Sequence, residues 1–213
     1  MSQVTGVRAE RKQQTRQALL DAALRLLERH SLSGLSLREV TRAAGVVPAA
    51  FYRHFPDLDS LGVALVEESL EPLRATLRTV RAGLTDSGEI IRRSVEVLGR
   101  QVREHRDLFR FIARERNGGV PRVRAAIREQ LQRSADELAR DLLASPAGDE
   151  IRLPEWPPAD VRMLTGLVVN QMVLTAAALL EPPEPAVSER ITLDTATAQL
   201  RLIVLGARHW LDP

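Results

Sequence analysis

The residues with the clearest chemical purpose lie in VPAAFYRHF, from Val47 to Phe55. Arg53 carries a planar fork of donors that fits a guanine edge or a phosphate. Ala49 and Ala50 are small enough to meet thymine methyls, and Tyr52 and His54 can hydrogen-bond backbone oxygens. In a helix, Val47, Phe51 and Phe55 recur every four residues and are expected to pack inward. At about 100° per residue, Ala49 and Arg53 then point directly away from that stripe. Tyr52 lies on one flank, Ala50 and His54 on the other. This face suits the major groove of a duplex. It equally suits the solvated side of an ordinary buried helix pair.

The elements that must hold this face are legible just upstream, in LSLREVTRAAG. Ser36 and Glu39 have the S-x-x-E spacing of a capping box, which satisfies free N–H groups at a helix start. Leu37, Val40, Thr41 and Ala44 recur at helical spacing, and Gly45 stands where a left-handed residue ends the helix. Pro48 restarts it, because proline suits the first helical turn. Two helices around a glycine-containing turn form a helix-turn-helix, whose second helix reads DNA.

AAGVVPAAFYRHF, with an amphipathic helix before it and FPDLDSL after it, resembles the TetR family of bacterial transcriptional regulators over residues 10–66. A wider set of motifs, GVRAERKQQTRQALLDAA, LSLREV, VVPAAFYRHFPDLDSLG and FRFIARERNGG, resembles a subgroup within it. That subgroup represses unsaturated fatty-acid synthesis and acyl desaturase genes and senses long-chain acyl-CoA. The resemblance implies operator DNA as partner and a homodimer placing two recognition helices in successive major grooves, about 34–36 Å apart. It also implies a phosphate contact at the start of the first helix, near Thr15 and Arg16, with an arm carrying Arg8 ahead of it. Ser36, Arg38, Pro48, Ala49, Ala50, Tyr52, Arg53 and His54 complete the expected DNA-facing set. Two positions depart from the family pattern. Ala49 replaces a small hydroxyl residue, which removes one possible hydrogen bond. Thr41 replaces the usual alanine, and its hydroxyl is expected to bond back to the carbonyl of Leu37.

Composition sets outer limits. At 213 residues the chain can bury a real core, and without cysteine it can form neither disulfides nor thiolate metal sites. MSQVTGVRAERKQQ is not followed by an apolar core, so a cytoplasmic address is expected. The pI of 9.8 overstates basicity, because formal net charge is only +2. With one lysine and one tyrosine, almost nothing titrates between histidine and arginine. Distribution is more informative: residues 1–56 carry nine bases against four acids. A basic first quarter on a mildly acidic remainder fits phosphate contact at one end. Four scattered histidines, with no H-E-x-x-H, phosphate loop or G-x-S-x-G turn, argue against a metal site and against catalysis. No cofactor is expected beyond an effector.

The whole chain reads as all-α, with a three-helix head at 1–56 and a helical bundle at 57–213, about nine helices in all. Leu19, Ala22, Ala23, Leu26 and Leu27 mark the first helix, and Asp57 caps a long one at 58–82. Further helices are expected at 89–105, 107–116, 121–144, 159–180 and 188–211, with the proline-rich interval from 144 to 158 as loop. Met163–Leu180 is uncharged and approaches membrane-spanning length, but Thr165, Asn170, Gln171 and Thr175 interrupt it. Burial on most sides is expected instead of insertion. Val168 and Met172, with Leu193, Ala196, Leu200, Ile203, Val204 and Ala207, are expected to form a four-helix dimer interface.

For an acyl-CoA effector, Leu108, Phe109, Phe111 and Ile112 offer apolar bulk, and Arg114 and Arg116 offer cations at a pocket mouth. Asn170 and Gln171 are candidates as buried amides needing partners. All of these residues fit an ordinary core equally well. A repressor of an efflux or catabolic operon, sensing a hydrophobic drug or aromatic compound, is the alternative.

Overall fold

The computed structural model describes residues 2–181 and 188–212, with side chains from residue 9 onward. Helices α1 (Ser2–Leu27), α2 (Leu37–Ala43), α3 (Pro48–Phe51), α4 (Leu58–Gly83) and α5 (Ser87–Glu104) come first. They are followed by α6 (Arg106–Glu115), α7 (Pro121–Leu143), α8 (Pro146–Asp149), α9 (Pro158–Leu180) and α10 (Glu189–Arg208). Short 3-10 turns occupy Leu32–Gly34 and Leu153–Glu155, and no strand occurs among the described residues. The fold is all-α. The tenth helix is α8, inside the interval expected to be loop. A second difference is the start of α1, which is helical from Ser2 rather than from near Thr15. Residues 10–14 (ERKQQ) are strong helix formers but polar all round, so they give no amphipathic signal.

Two compact units divide the chain: Met1–Ser69 with Arg110–Ile127, and Leu70–Phe109 with Arg128–Pro213. The sequence division at 56/57 falls inside the first of them.

In the first unit, Leu19, Ala22, Ala23 and Leu27 of α1 are buried, as are Leu32, Val40, Phe51, Phe55, Leu61, Phe111 and Val123. The start of α2 has the full capping box: the Glu39 N–H donates to Ser36 Oγ at 3.3 Å, and Glu39 accepts the Ser36 N–H at 2.9 Å. Those bonds from Ser36 hold the Glu39 carboxyl below its usual range. At the other end the N–H of Val46 reaches the Thr41 carbonyl (3.0 Å) and that of Gly45 reaches Arg42 (3.2 Å). This crossed pair is a Schellman ending, with Gly45 left-handed at φ +68°. The Thr41 hydroxyl donates to the Leu37 carbonyl at 3.0 Å, as its position in the helix implies. Asp57 caps α4 through the Ser60 N–H at 2.7 Å.

The second unit is built on α5, α9 and α10. Leu73, Val97, Leu98, Val102, Phe109 and Ala176 form one buried cluster, and Val95, Ala196 and Leu200 another. Trp156, Val161, Leu164 and Ala207 belong to a third, with Ile151 and Leu153. Along α4 and α7, Arg74 donates to Gln130 (2.5 Å), Arg78 pairs with Glu137 (2.9 Å), and Arg81 with Asp141 (2.6 Å). Arg106 donates to the carbonyls of Leu179 and Leu180, at 3.2 and 2.9 Å, closing the C-terminal end of α9.

Within one chain, helix α9 is covered on only one side. Of its candidate 18-residue membrane window, only 22% is buried within the chain. Val161, Leu164, Thr165, Thr175 and Ala176 face inward, while Met163, Leu167 and Leu174 are about half exposed or more. The stripe expected at a dimer interface is instead used inside the chain. Ala196, Leu200 and Ala207 are buried, and Val168, Met172, Leu193, Ile203 and Val204 pack against the same clusters. The opposite face of α10 is left uncovered, with Ile191, Leu205 and Leu202, the last 69% exposed.

A Cβ at Gly45 would meet nothing within 4 Å, so any cost of Gly45→Ala comes from the backbone alone. It is expected to destabilise the protein by about 1–2 kcal/mol, and Gly45→Asn by less, as thermal denaturation followed by circular dichroism would show.

Candidate nucleic-acid interface

The reading face is assembled from one turn of regular helix and a tighter continuation. After α3 ends at Phe51, the N–H groups of Arg53, His54 and Phe55 still reach back to Ala50, Phe51 and Phe51, at 3.3, 2.9 and 3.0 Å. Phe51 and Phe55 are buried with ring centroids 5.7 Å apart, which pins this segment from beneath. Val47 differs from expectation and is 66% exposed. It is the N-cap residue with extended backbone (φ −75°, ψ 150°), so the helical period that points Phe51 inward does not apply to it.

Pro48, Ala49, Tyr52 and Arg53 are exposed, and Ala50 and His54 are half-buried. Tyr52 is 61% exposed, with its ring edge-on to Phe51. Arg53 makes no ion pair among the described residues. Ser36 and Arg38 are exposed at the start of α2, where Ser36 Oγ also donates to Glu39 at 2.6 Å. Thr15 donates to the Arg11 carbonyl at 2.9 Å. Arg16 is engaged inside the protein: it pairs with Glu68 and stacks over the Phe55 ring at 4.7 Å. The side chain of Arg8 lies outside the described residues. Lys12, four residues from both Arg8 and Arg16 and so on the same side of a helix, is exposed nearby, and its charge is felt at His54.

His54 holds its proton less readily than an ordinary imidazole. Partial burial is the main cause, and the charges of Lys12, Arg16 and Arg53 add to it. It is therefore neutral near pH 7; of the three cations, Arg16 is balanced by Glu68, while Lys12 and Arg53 make no ion pair among the described residues. A phosphate is the complement of that arrangement.

The effector residues inferred from sequence are divided between the two units. Leu108 and Phe109 belong to the second unit, where Phe109 packs with Leu73, Val97 and Ala176. Buried Phe111 and half-buried Ile112 and Arg116 belong to the first, as does Arg114, which donates to the carbonyls of Leu27 and His30. Asn170 is exposed, so it is not the buried amide expected, and Gln171 donates to Gln199 at 2.6 Å. A solvent-open groove of about 680 Å³ lies in the second unit between α4 and α5. Its α4 wall includes Ala75, Thr76, Thr79, Val80 and Gly83, and its α5 wall Arg93, Glu96, Val97 and Arg100. The signal for it in the sequence is the run of small residues at 75, 79 and 83, which recur at helical spacing and leave a hollow.

A glycine-turned helix pair with Tyr52 and Arg53 exposed, half-buried His54 at their side and exposed Lys12 near it defines a helix-turn-helix DNA-binding regulator. Residues 19–65 match the family described as "Bacterial regulatory proteins, tetR family", and residues 87–206 match "Tetracyclin repressor-like, C-terminal domain". The chain belongs to the TetR family of bacterial transcriptional regulators. Solved structures share its fold at low sequence identity. The regulator FadR of Bacillus subtilis, in complex with stearoyl-CoA, is 15% identical with a TM-score of 0.71, over 89% of this chain and 98% of that one. The fatty acid degradation regulator FadR of Bacillus halodurans is 15% identical, TM-score 0.64, over 93% and 96%. A TetR-family regulator of Streptomyces coelicolor is 20% identical, TM-score 0.65, over 94% and 84%.

A phosphate beside His54 would raise its pKa, so DNA binding should take up a proton. Operator affinity is expected to rise as pH falls through the bound-state value, by at most about tenfold per pH unit for one proton. The slope should flatten in His54→Gln, measured by fluorescence anisotropy at fixed salt from pH 8 to pH 6.

Proposed function

We propose that this regulator is a homodimeric repressor of fatty-acid synthesis or desaturase genes, with operator affinity set by long-chain acyl-CoA. The observation that carries the dimer is the pair of uncovered apolar stripes on α9 and α10. Met163, Leu167 and Leu174 on one helix, and Ile191, Leu202 and Leu205 on the other, are exposed at helical spacing. Apolar surface arranged in this way marks an interaction site, and a second copy offers the same stripes. Two such helices from each copy make a four-helix interface. Two recognition helices on a palindromic operator follow from it.

Support for the effector comes from the resemblance of FRFIARERNGG to lipid-responsive relatives and from a FadR structure that holds stearoyl-CoA. The groove along α4 and α5 has small and apolar residues in its walls and Arg93, Glu96 and Arg100 among its lining, two cations to one carboxylate, which suits an anionic amphiphile. A coupling of about 1–3 kcal/mol would change operator affinity several-fold to a hundredfold.

Two experiments test this. Leu202→Glu is expected to convert the dimer to a monomer in sedimentation velocity with little change in melting, because Leu202 contributes little to the chain's own core. A wild-type monomer, or a dimer that tolerates the charge, would overturn the interface. Operator duplexes selected from a random pool are then titrated at fixed salt with oleoyl-CoA, palmitoyl-CoA or free CoA. A shift that depends on the acyl chain supports lipid sensing. Equal affinity in all three discards the lipid and leaves a DNA-binding regulator of other effector.

A further inference from the structure

The segment joining α1 to α2 is short of partners for its own backbone. The N–H groups of Arg29 and His30 close on the Leu26 carbonyl, at 3.2 and 3.1 Å, but the carbonyls of Leu27 and His30 are taken by Arg114, at 2.9 and 2.8 Å. One residue further along α6, Glu115 accepts the N–H of Leu32 at 3.2 Å. Leu32 opens the 3-10 turn, and its N-cap, Ser31, supplies no side-chain bond there. Adjacent side chains of opposite charge thus hold backbone groups of opposite polarity on either side of one connector. The connector separates α1, which carries Lys12, from α2 and α3, which carry the reading face.

Glu115 occupies this place at a cost. It is 1% exposed, its Oε2 has no hydrogen-bond partner among the described residues, and a carboxylate so placed is poorly solvated. Space for it depends on Gly118, where a Cβ would stand 2.4 Å from Oε2. The Gly118 N–H donates to the Glu115 carbonyl at 3.1 Å, and Arg124 donates to the Gly118 carbonyl, so the turn after α6 is fixed as well. A hydrophobic residue would fill the site without the orphaned oxygen. What it would lack is an acceptor for Leu32.

We propose that Arg114 and Glu115 are positioning residues for operator recognition. They fix the connector from residue 27 to residue 32, and so set how the phosphate-facing helix α1 and the reading helix α3 are presented together to one duplex. They touch no base. Their effect is on the discrimination between operator and other DNA, which requires both helices in register. Non-specific binding needs only the cations. The proposal rests on the DNA-binding assignment and is independent of any effector.

The test compares wild type, Arg114→Met, Arg114→Lys and Glu115→Leu in affinity for a selected operator and for a random duplex at one salt concentration. Melting and amide exchange at Leu32 are followed in parallel. Arg114→Met keeps the apolar stem and is expected to lower operator affinity by roughly tenfold, as a lost charged hydrogen-bond pair implies. Random-duplex affinity should stay near wild type, melting should fall by only a few degrees, and Arg114→Lys should restore part of the loss. Glu115→Leu is expected to lose the same discrimination and to speed exchange of the Leu32 amide. Three results would overturn the proposal. One is unchanged discrimination in both Arg114→Met and Glu115→Leu. Another is an equal fall on operator and random duplex in Arg114→Met, which would make Arg114 a phosphate contact. The third is a loss that tracks melting across all variants, which would make the pair merely structural.

Discussion

An all-helical chain must satisfy the backbone groups that every helix leaves bare at its two ends. This constraint organises much of the molecule. Amino-terminal N–H groups are met locally by short oxygen side chains: Ser36 for α2, Asp57 for α4, Asp86 for α5 and Ser188 for α10. The carboxyl-terminal carbonyls have no such ready supply. Gly45 solves the problem for α2 by turning the backbone back on itself. For α9 and α1 the donors come from elsewhere in the same unit, as Arg106 and Arg114. These two arginines are placed at opposite ends of α6, a helix of ten residues. The arginine-rich composition, easily taken for a mark of nucleic-acid binding, serves in part to finish helices.

That division also explains which features were legible in the sequence. The capping box at Ser36, the left-handed Gly45, Pro48 at the start of α3, the Thr41 back-bond and the Asp57 cap are all set within five residues of chain. Local chemistry is enough to read them. Val47 escapes the helical period because a cap residue has extended backbone, and a helical wheel assigns it a direction it does not have. The start of α1 escapes a periodicity reading for the opposite reason, since residues 10–14 are polar on every side and have no period to detect. Residue type and the resemblance of its segment mark Arg114 as a ligand cation, but neither carries its bonds to Leu27 and His30, more than eighty residues back. The groove could be noticed only as a run of small side chains.

The two faces of α10 show a limit of periodicity itself. Leu193, Ala196, Leu200, Ile203 and Ala207 form one apolar stripe, and Ile191, Leu202 and Leu205 contribute to another. Both satisfy the helical repeat, and nothing in the repeat states which belongs to the chain's own core. Packing against α5 and α9 decides it, using the richer stripe internally and leaving large leucines outside. Helix α9 follows the same logic. Its high mean hydropathy reflects two apolar faces, one turned inward and one uncovered, rather than a need for lipid around it.

Of thirty basic side chains, Lys12 is the single primary amine, and it stands exposed on α1 with its charge felt at His54. Guanidinium groups do not react with ordinary acylating agents, so among the side chains the chain has one address for amine acylation, on the helix next to the reading face. Modification there would remove a cation that no other lysine could replace. The same uniqueness makes Lys12 a natural footprint: a bound duplex would shield it, and its labelling rate would report occupancy of that face without any engineered probe.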